Sequence, residues 1–342
     1  MSYIVLNGRK SDTVTGLLIS SLPPISKPLL RTEVEEIDGR DGDIITPLGY
    51  SAYDKEMTIG LYGAYDIDDV ISYFDSEGTV IFSNEPDKYY KYKIIEQVDF
   101  EKLIRYKTAT VTFHVQPFKY SVVDGVIEQD AHILSIPDFS QTENGMTLLV
   151  SDEEMFLSGT STKTAEFFIP VELHLESGKY MISATGSGDV GIGLITTSSS
   201  YGAMLKNGLT DTVINVARCD VKYIWVCVYG EQTINSSITV DLKEMFVRVT
   251  NQGNTRAKPI ITLHGSGNSD ITINGEYACS VNLTQPIVID VNEMQAYNLD
   301  GSFANRRVSG DYDGLMLPVG TSQIGWTGDV DTVTVERYSR WI

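Results

Sequence analysis

Short runs with apolar residues at every second position recur along this chain, and that period admits strands rather than helices. Glu56-Met57-Thr58-Ile59-Gly60-Leu61-Tyr62 and Thr108–Val115 are clear cases. Clusters of turn-forming residues separate the runs, at Asp38–Asp43, Asn84-Glu85-Pro86-Asp87, Gly265–Asn268 and Asn274-Gly275. Asn-Gly suits a primed hairpin turn, whose two central residues both need positive φ. One stretch breaks the pattern. Ile67, Val70, Ile71 and Phe74 recur at three- and four-residue spacing, with acids in the first turn where the helix dipole favours them. One short helix is therefore expected over 66–77. The strand at 108–115 is expected to stop at Pro117, which cannot donate a ladder hydrogen bond.

A chain of 342 residues exceeds one comfortable sandwich, and its 42% hydrophobic content supplies material for several cores. The texture changes twice. Beyond residue 130, Ser, Thr and Gly punctuate strands at Thr164–Ile169, Gly178–Ala184, Val190–Ile195 and Lys222–Tyr229, with Ser237–Val249 closing the group. From Asn251 onward, strands at Ile260–Leu263, Asp270–Ile273, Ile287–Val291 and Val330–Val335 form a third region. The expected fold is mainly β, in three domains: 1–128, β-rich with one short helix; 129–249, a sandwich; and 250–342, a smaller sandwich.

Charge and motifs exclude several function classes. The net charge of −20 is spread over all three regions, a field that repels phosphate backbones. The basic–aromatic run Lys88-Tyr89-Tyr90-Lys91-Tyr92-Lys93 is accordingly read as a strand whose lysines blunt an edge or face a neighbour, not as a nucleic-acid platform. Cys219, Cys227 and Cys279 are odd in number with no CxxC, so no disulfide framework, zinc site or other cofactor is expected. His114, His132, His174 and His264 are scattered, and GxSxG, HExxH and P-loop motifs are missing, so an enzyme is not expected. Glu153-Glu154 and Asp311–Asp313 read as solvated turns, and Asp38–Asp43 lacks the spacing of a calcium loop. The opening residues form too short an apolar run for a signal peptide, and no run suits a membrane helix. Synthesis and retention in a reducing cytoplasm are expected.

The strand Lys222–Tyr229 carries the one candidate binding surface. Alternation puts Ile224, Val226 and Val228 on one face and Tyr223, Trp225, Cys227 and Tyr229 on the other. If the aliphatic face fills a core, Tyr223, Trp225 and Tyr229 lie outward, as flat rings for sugar C–H faces. The reverse arrangement puts the rings inside.

Several segments, in order, resemble the distal tail (Dit) proteins of long-tailed phages infecting Gram-positive hosts. They are Gly39-Arg40-Asp41-Gly42, Met57–Leu61, the helix at 66–77, Asn84–Tyr90 and Val115-Gln116-Pro117-Phe118-Lys119-Tyr120. Asn251–Asn254, Lys258–Ile261, Gly265-Ser266-Gly267, Gly328-Asp329-Val330 and Tyr338–Trp341 resemble the start and close of that family's galectin-like domain. The middle region departs from the simplest members. On Gly159-Thr160 and Leu175–Tyr180 it resembles the jelly-roll carbohydrate-binding modules inserted in "evolved" tail proteins. The resemblance implies a structural hub at the virion tail tip, assembled in the host cytoplasm. It implies a self-associated, six-copy ring that contacts the tail tube protein, the tail-associated lysin and receptor-binding or other baseplate proteins, with host cell-wall polysaccharide as ligand of the insert. No specific nucleic acid and no membrane are expected as partners. A freestanding lectin-like protein is the alternative.

Overall fold

The computed structural model describes residues 2–74, 76–197, 199–205 and 209–342; Asp75, inside the helix expected over 66–77, lies outside them. The chain is mainly β, around three hydrophobic cores. The first core lies under a sheet ordered Arg9–Lys10, Ile4–Leu6, Glu77–Phe82, Lys88–Lys93, Thr108–Ser121, Tyr53–Leu61, Leu17–Ser21. Its alternation works as read: Met57 and Ile59, Tyr90 and Tyr92, and Val111 and Phe113 point inward. Phe82, Tyr90, Tyr92 and Phe113 meet edge to face, with ring centroids 5.1–5.7 Å apart.

The expected helix spans Ile67–Tyr73, where Asp66 accepts from the Asp68 and Asp69 amides at 3.1 and 3.3 Å and Val70 and Tyr73 are buried. A second helix, Phe100–Tyr106, was not expected. It buries only Leu103, too little for a periodic signal, and stands on its Asp99 cap (2.7 Å to the Lys102 amide) and the left-handed Lys107 at its end. The strand from Thr108 does not stop at Pro117 but runs to Ser121. Pro117 sits in a bulge, since Tyr90 faces Lys119 while Tyr92 faces Val115, so the missing donor costs no ladder bond. The Lys88–Lys93 strand lies inside the sheet, so its lysines blunt no edge.

The second core is a two-sheet sandwich. Six strands (Phe139–Glu143, Met146–Ser151, Glu154–Ser161, Gln232–Glu244, Gly178–Thr185, Leu209–Val216) face four (Ala165–Leu175, Cys219–Val228, Val190–Thr196, Ser200–Leu205). In the third, Ile260–Ile273 is one strand where two were expected. It bends at Gly265, where φ is +157° and a Cβ would lie 2.2 Å from the Asp329 carbonyl. The first half pairs with Ile287–Asp290 and Asp329–Glu336, the second with Glu276–Leu283 and Gly320–Trp326, so the strand turns a corner between sheets.

The expected boundaries cut through strands. Val126–Asp130 pairs with Asp329–Glu336, and Phe246–Asn251 pairs with Gly320–Trp326, so both belong to the third sheet. Between them the second sandwich leaves and returns at adjacent points. The Glu244 amide donates to the Ala131 carbonyl at 2.8 Å, and Lys243, almost fully buried, reaches Asp329 and Asp331 at 2.6 and 3.0 Å. The last strand, Arg340–Trp341, leaves the third sheet and pairs with Thr108–Ser121 of the first.

Candidate functional site

On Cys219–Val228 the structure decides between the two arrangements. Ile224, Val226 and Val228 are fully buried in the sandwich core, and Tyr223 (42% exposed) and Tyr229 (39%) face outward with the half-buried Trp225. The strand is central in its sheet. Trp225 has Phe168 on one side and Gly193 on the other, and Cys227 has Glu166 and Gly191. Although Cys227 lies on the aromatic face, it is 1% exposed. Burial first, then the Glu166 carboxylate, push its thiol up.

The glycines explain how the rings sit. A Cβ on Gly193 would lie 3.3 Å from Trp225 Cε3, and one on Gly191 would lie 3.1 Å from Trp225 Cζ3 and 2.7 Å from the Tyr229 hydroxyl. The benzo ring of Trp225 thus spans two glycines of the neighbouring strand and buries both. A side chain at either place would lift it. The indole Nε1 donates to Glu166 Oε1 at 3.2 Å, fixing the ring in its plane. Tyr229 stands nearly perpendicular to Trp225 (79°, centroids 6.5 Å), and Phe168 meets Tyr223 at 83° and 6.1 Å. The surface is a flat ring with an upright wall, suited to stacking one sugar face while a carboxylate accepts from hydroxyls. The sequence reading named Tyr223, Trp225 and Tyr229 as outward rings and did not name Phe168, Glu166, Gly191 and Gly193, which surround them. The signal was there in Val190-Gly191-Ile192-Gly193-Leu194, where glycine occupies every outward position.

A second surface lies on the first sheet's side. Leu30–Glu36 and Asp43–Tyr50 form a hairpin that pairs with no other strand among the described residues. Its turn is the expected Gly/Asp cluster, with Gly39 and Gly42 at φ +81° and +79°. Alternation collects Leu30, Val34, Ile45 and Pro47 on one face, and Val34 and Ile45, directly opposed, are 53% and 61% exposed. A lone two-stranded ribbon is marginal in water. This arm is an apolar sheet face without a cover in the isolated chain.

Its root, in contrast, is held firmly. Asn84 donates to the Pro23 carbonyl at 3.0 Å, and Lys55, 3% exposed, donates to the Pro24 carbonyl at 2.8 Å. Beside Lys55, the buried Glu85 takes Lys119 Nζ at 2.5 Å and the Tyr90 hydroxyl. Burial pushes the Lys55 ammonium down to about 8, against the opposing pull of Glu85.

Residues 11–115, which hold most of the first sheet, both helices and the arm, match the family model described as the phage tail protein RIFT-related domain. Over this stretch the chain is similar to phage tail proteins. The resemblance to phage tail proteins read from the sequence is borne out for that stretch. Among solved structures, the chain is similar to the SPP1 Dit (gp 19.1) protein, described as a paradigm of the hub adsorption apparatus in Gram-positive infecting phages. The TM-score is 0.46 with 11% identity, over 99% of each chain. No curated protein matches the sequence. Among the described residues, no group of three or more His, Cys, Asp and Glu side chains could hold a metal ion, and no helix is long and apolar enough to cross a membrane. His114, His132 and His174 each lie against an aspartate, Asp54, Asp241 and Asp220, at 2.6–2.8 Å.

Proposed function

We propose that this chain is a phage tail protein, a non-enzymatic distal tail hub, six copies of which close head-to-tail into a ring between the tail tube and the adhesion apparatus. The uncovered arm carries this reading. Strands of seven and eight residues reach about 25 Å, enough to lie across a neighbour, and a ribbon leaving one side of the subunit makes a heterologous contact that closes by rotation. Permanent interfaces commonly bury over ~2,000 Å², and an apolar ribbon face added to a sheet contact supplies area of that kind. The rigid root at Pro23 and Pro24 sets the arm's direction. The ring's axial faces would take the tail tube protein on one side and the tail-associated lysin on the other. Receptor-binding or other baseplate proteins would dock on the third sandwich.

The units we assign are residues 2–121 with 340–341 for the ring, 126–131 with 245–336 for the galectin-like sandwich, and 132–244 for an inserted module. That module is read as binding host cell-wall saccharide through Tyr223, Trp225 and Tyr229. Single-site stacking is weak, with a Kd near ~1 mM equivalent to about −4 kcal/mol, and six copies raise avidity by ~10²–10⁴. A freestanding lectin would not need the arm. Negative-stain imaging and mass photometry of the full chain separate the two readings. Rings with a central hole are expected; a monomer at every concentration would overturn the hub.

A further inference from the structure

The aromatic platform contains a charge that a purely stacking site does not need. Glu166 projects from the strand beside Trp225, is exposed, and is fixed at 3.2 Å from the indole Nε1. Any ring stacked on Trp225 therefore has its rim beside a carboxylate, on a molecule with a net charge of −20. The negative potential at this spot registers in Cys227, whose thiol is pushed up by Glu166 and, more weakly, Glu143, after the larger effect of burial. At the far end by Tyr223, Lys222 and Glu172 both line a shallow groove.

A carboxylate is an acceptor only. It receives hydrogen bonds from sugar hydroxyls and repels phosphate or uronate at the same place. The wall beside it is one upright tyrosine ring, and the two aromatic pairs meet nearly at right angles, so the surface is a corner for a single sugar rather than a long flat track. Resting on the saccharide reading of this face, we propose that Glu166 makes the platform selective for uncharged hexose units and excludes phosphate- or carboxylate-substituted wall polymers.

Affinity electrophoresis of the full chain tests this, with gels containing either a neutral hexose polysaccharide or the same polymer phosphorylated on its sugars. Wild-type protein should be retarded by the neutral polymer at about tenfold lower concentration than by the phosphorylated one. Glu166→Gln keeps an oxygen to accept from the indole but removes the charge, and should shrink that ratio towards one. Equal retardation of wild type by both polymers, or an unchanged ratio in Glu166→Gln, overturns the selectivity. Trp225→Ala isolates the underlying reading. Retardation lost in Trp225→Ala but equal on both polymers in wild type leaves the platform standing without its selectivity. Retardation by neither polymer, or undiminished in Trp225→Ala, removes both.

Discussion

Two hairpins in this protein follow the same two-residue alternation and meet opposite fates. In the inserted sandwich, Met146–Ser151 and Glu154–Ser161 place Leu148 directly opposite Leu157, and both are fully buried under the facing sheet. In the arm, Val34 opposes Ile45 in the same way, and both stand more than half exposed. Alternation writes an apolar face into a strand pair but does not say what covers it. In one hairpin the cover lies in the same chain; in the other it must come from outside. The difference marks where folding ends and assembly begins.

The largest effect is expected where the cover is internal. Leu157→Ala removes a fully buried side chain from the sandwich core and should cost about 2–5 kcal/mol in chemical denaturation of the full chain. The paired substitution Val34→Glu with Ile45→Glu changes surface that the monomer leaves wet, and should alter monomer stability by less than ~0.5 kcal/mol. The same pair should abolish rings in negative stain. Normal rings, or a destabilised monomer, would break the comparison.

Next in size is the arm's root. Lys55 has a folded-state pKa of about 8, below the 10.5 of an unfolded lysine. Between these values the unfolded chain binds more protons, so stability rises with pH through this window, by up to ~3 kcal/mol from this group. Below pH 8 both states are protonated and the cost of burying the charge is present in full. Lys55→Met removes this titration, and its stability should gain less between pH 8 and 10 than that of wild type. Equal slopes in urea melts across that range would contradict the assignment.

Much of this fold was legible in the sequence because half-buried strands state their period directly. Asn274-Gly275 was read as a primed turn and has φ of +53° and +85°. What failed was non-local. Pro117 looked like a terminator because nothing in its neighbourhood reveals that the partner strand is two residues shorter there. The boundaries near 128 and 249 fall inside strands because Val126–Asp130 and Phe246–Asn251 find partners some 200 and 70 residues away in sequence. Arg340–Trp341 likewise crosses to Thr108–Ser121, a strand of the first sheet. At the platform, alternation gave the aromatic face, but its direction depended on the sheet opposite. The glycine seat under Trp225 required knowing that Val190–Thr196 is the neighbour.

The smallest expected effects sharpen the contrast between the hairpins through their glycines. Gly145, in the turn that leads into Met146–Ser151, and Gly39, in the arm's turn, have nearly the same φ, +83° and +81°. Alanine at either place carries the same left-handed strain, about 1 kcal/mol. Around Gly145 a Cβ would lie 2.4 Å from the Thr160 carbonyl, so Gly145→Ala adds a backbone clash and should lower the global melting transition by several degrees. Around Gly39 nothing lies within 4 Å of that position, and the arm shares no sheet with the body. Its strain falls on a ribbon that opens independently of the core. Gly39→Ala should leave the monomer's melting transition unmoved while loosening the arm, seen as faster amide exchange confined to residues 30–50. A transition shifted as far as in Gly145→Ala would mean that the arm folds as one cooperative unit with the sheet at its root.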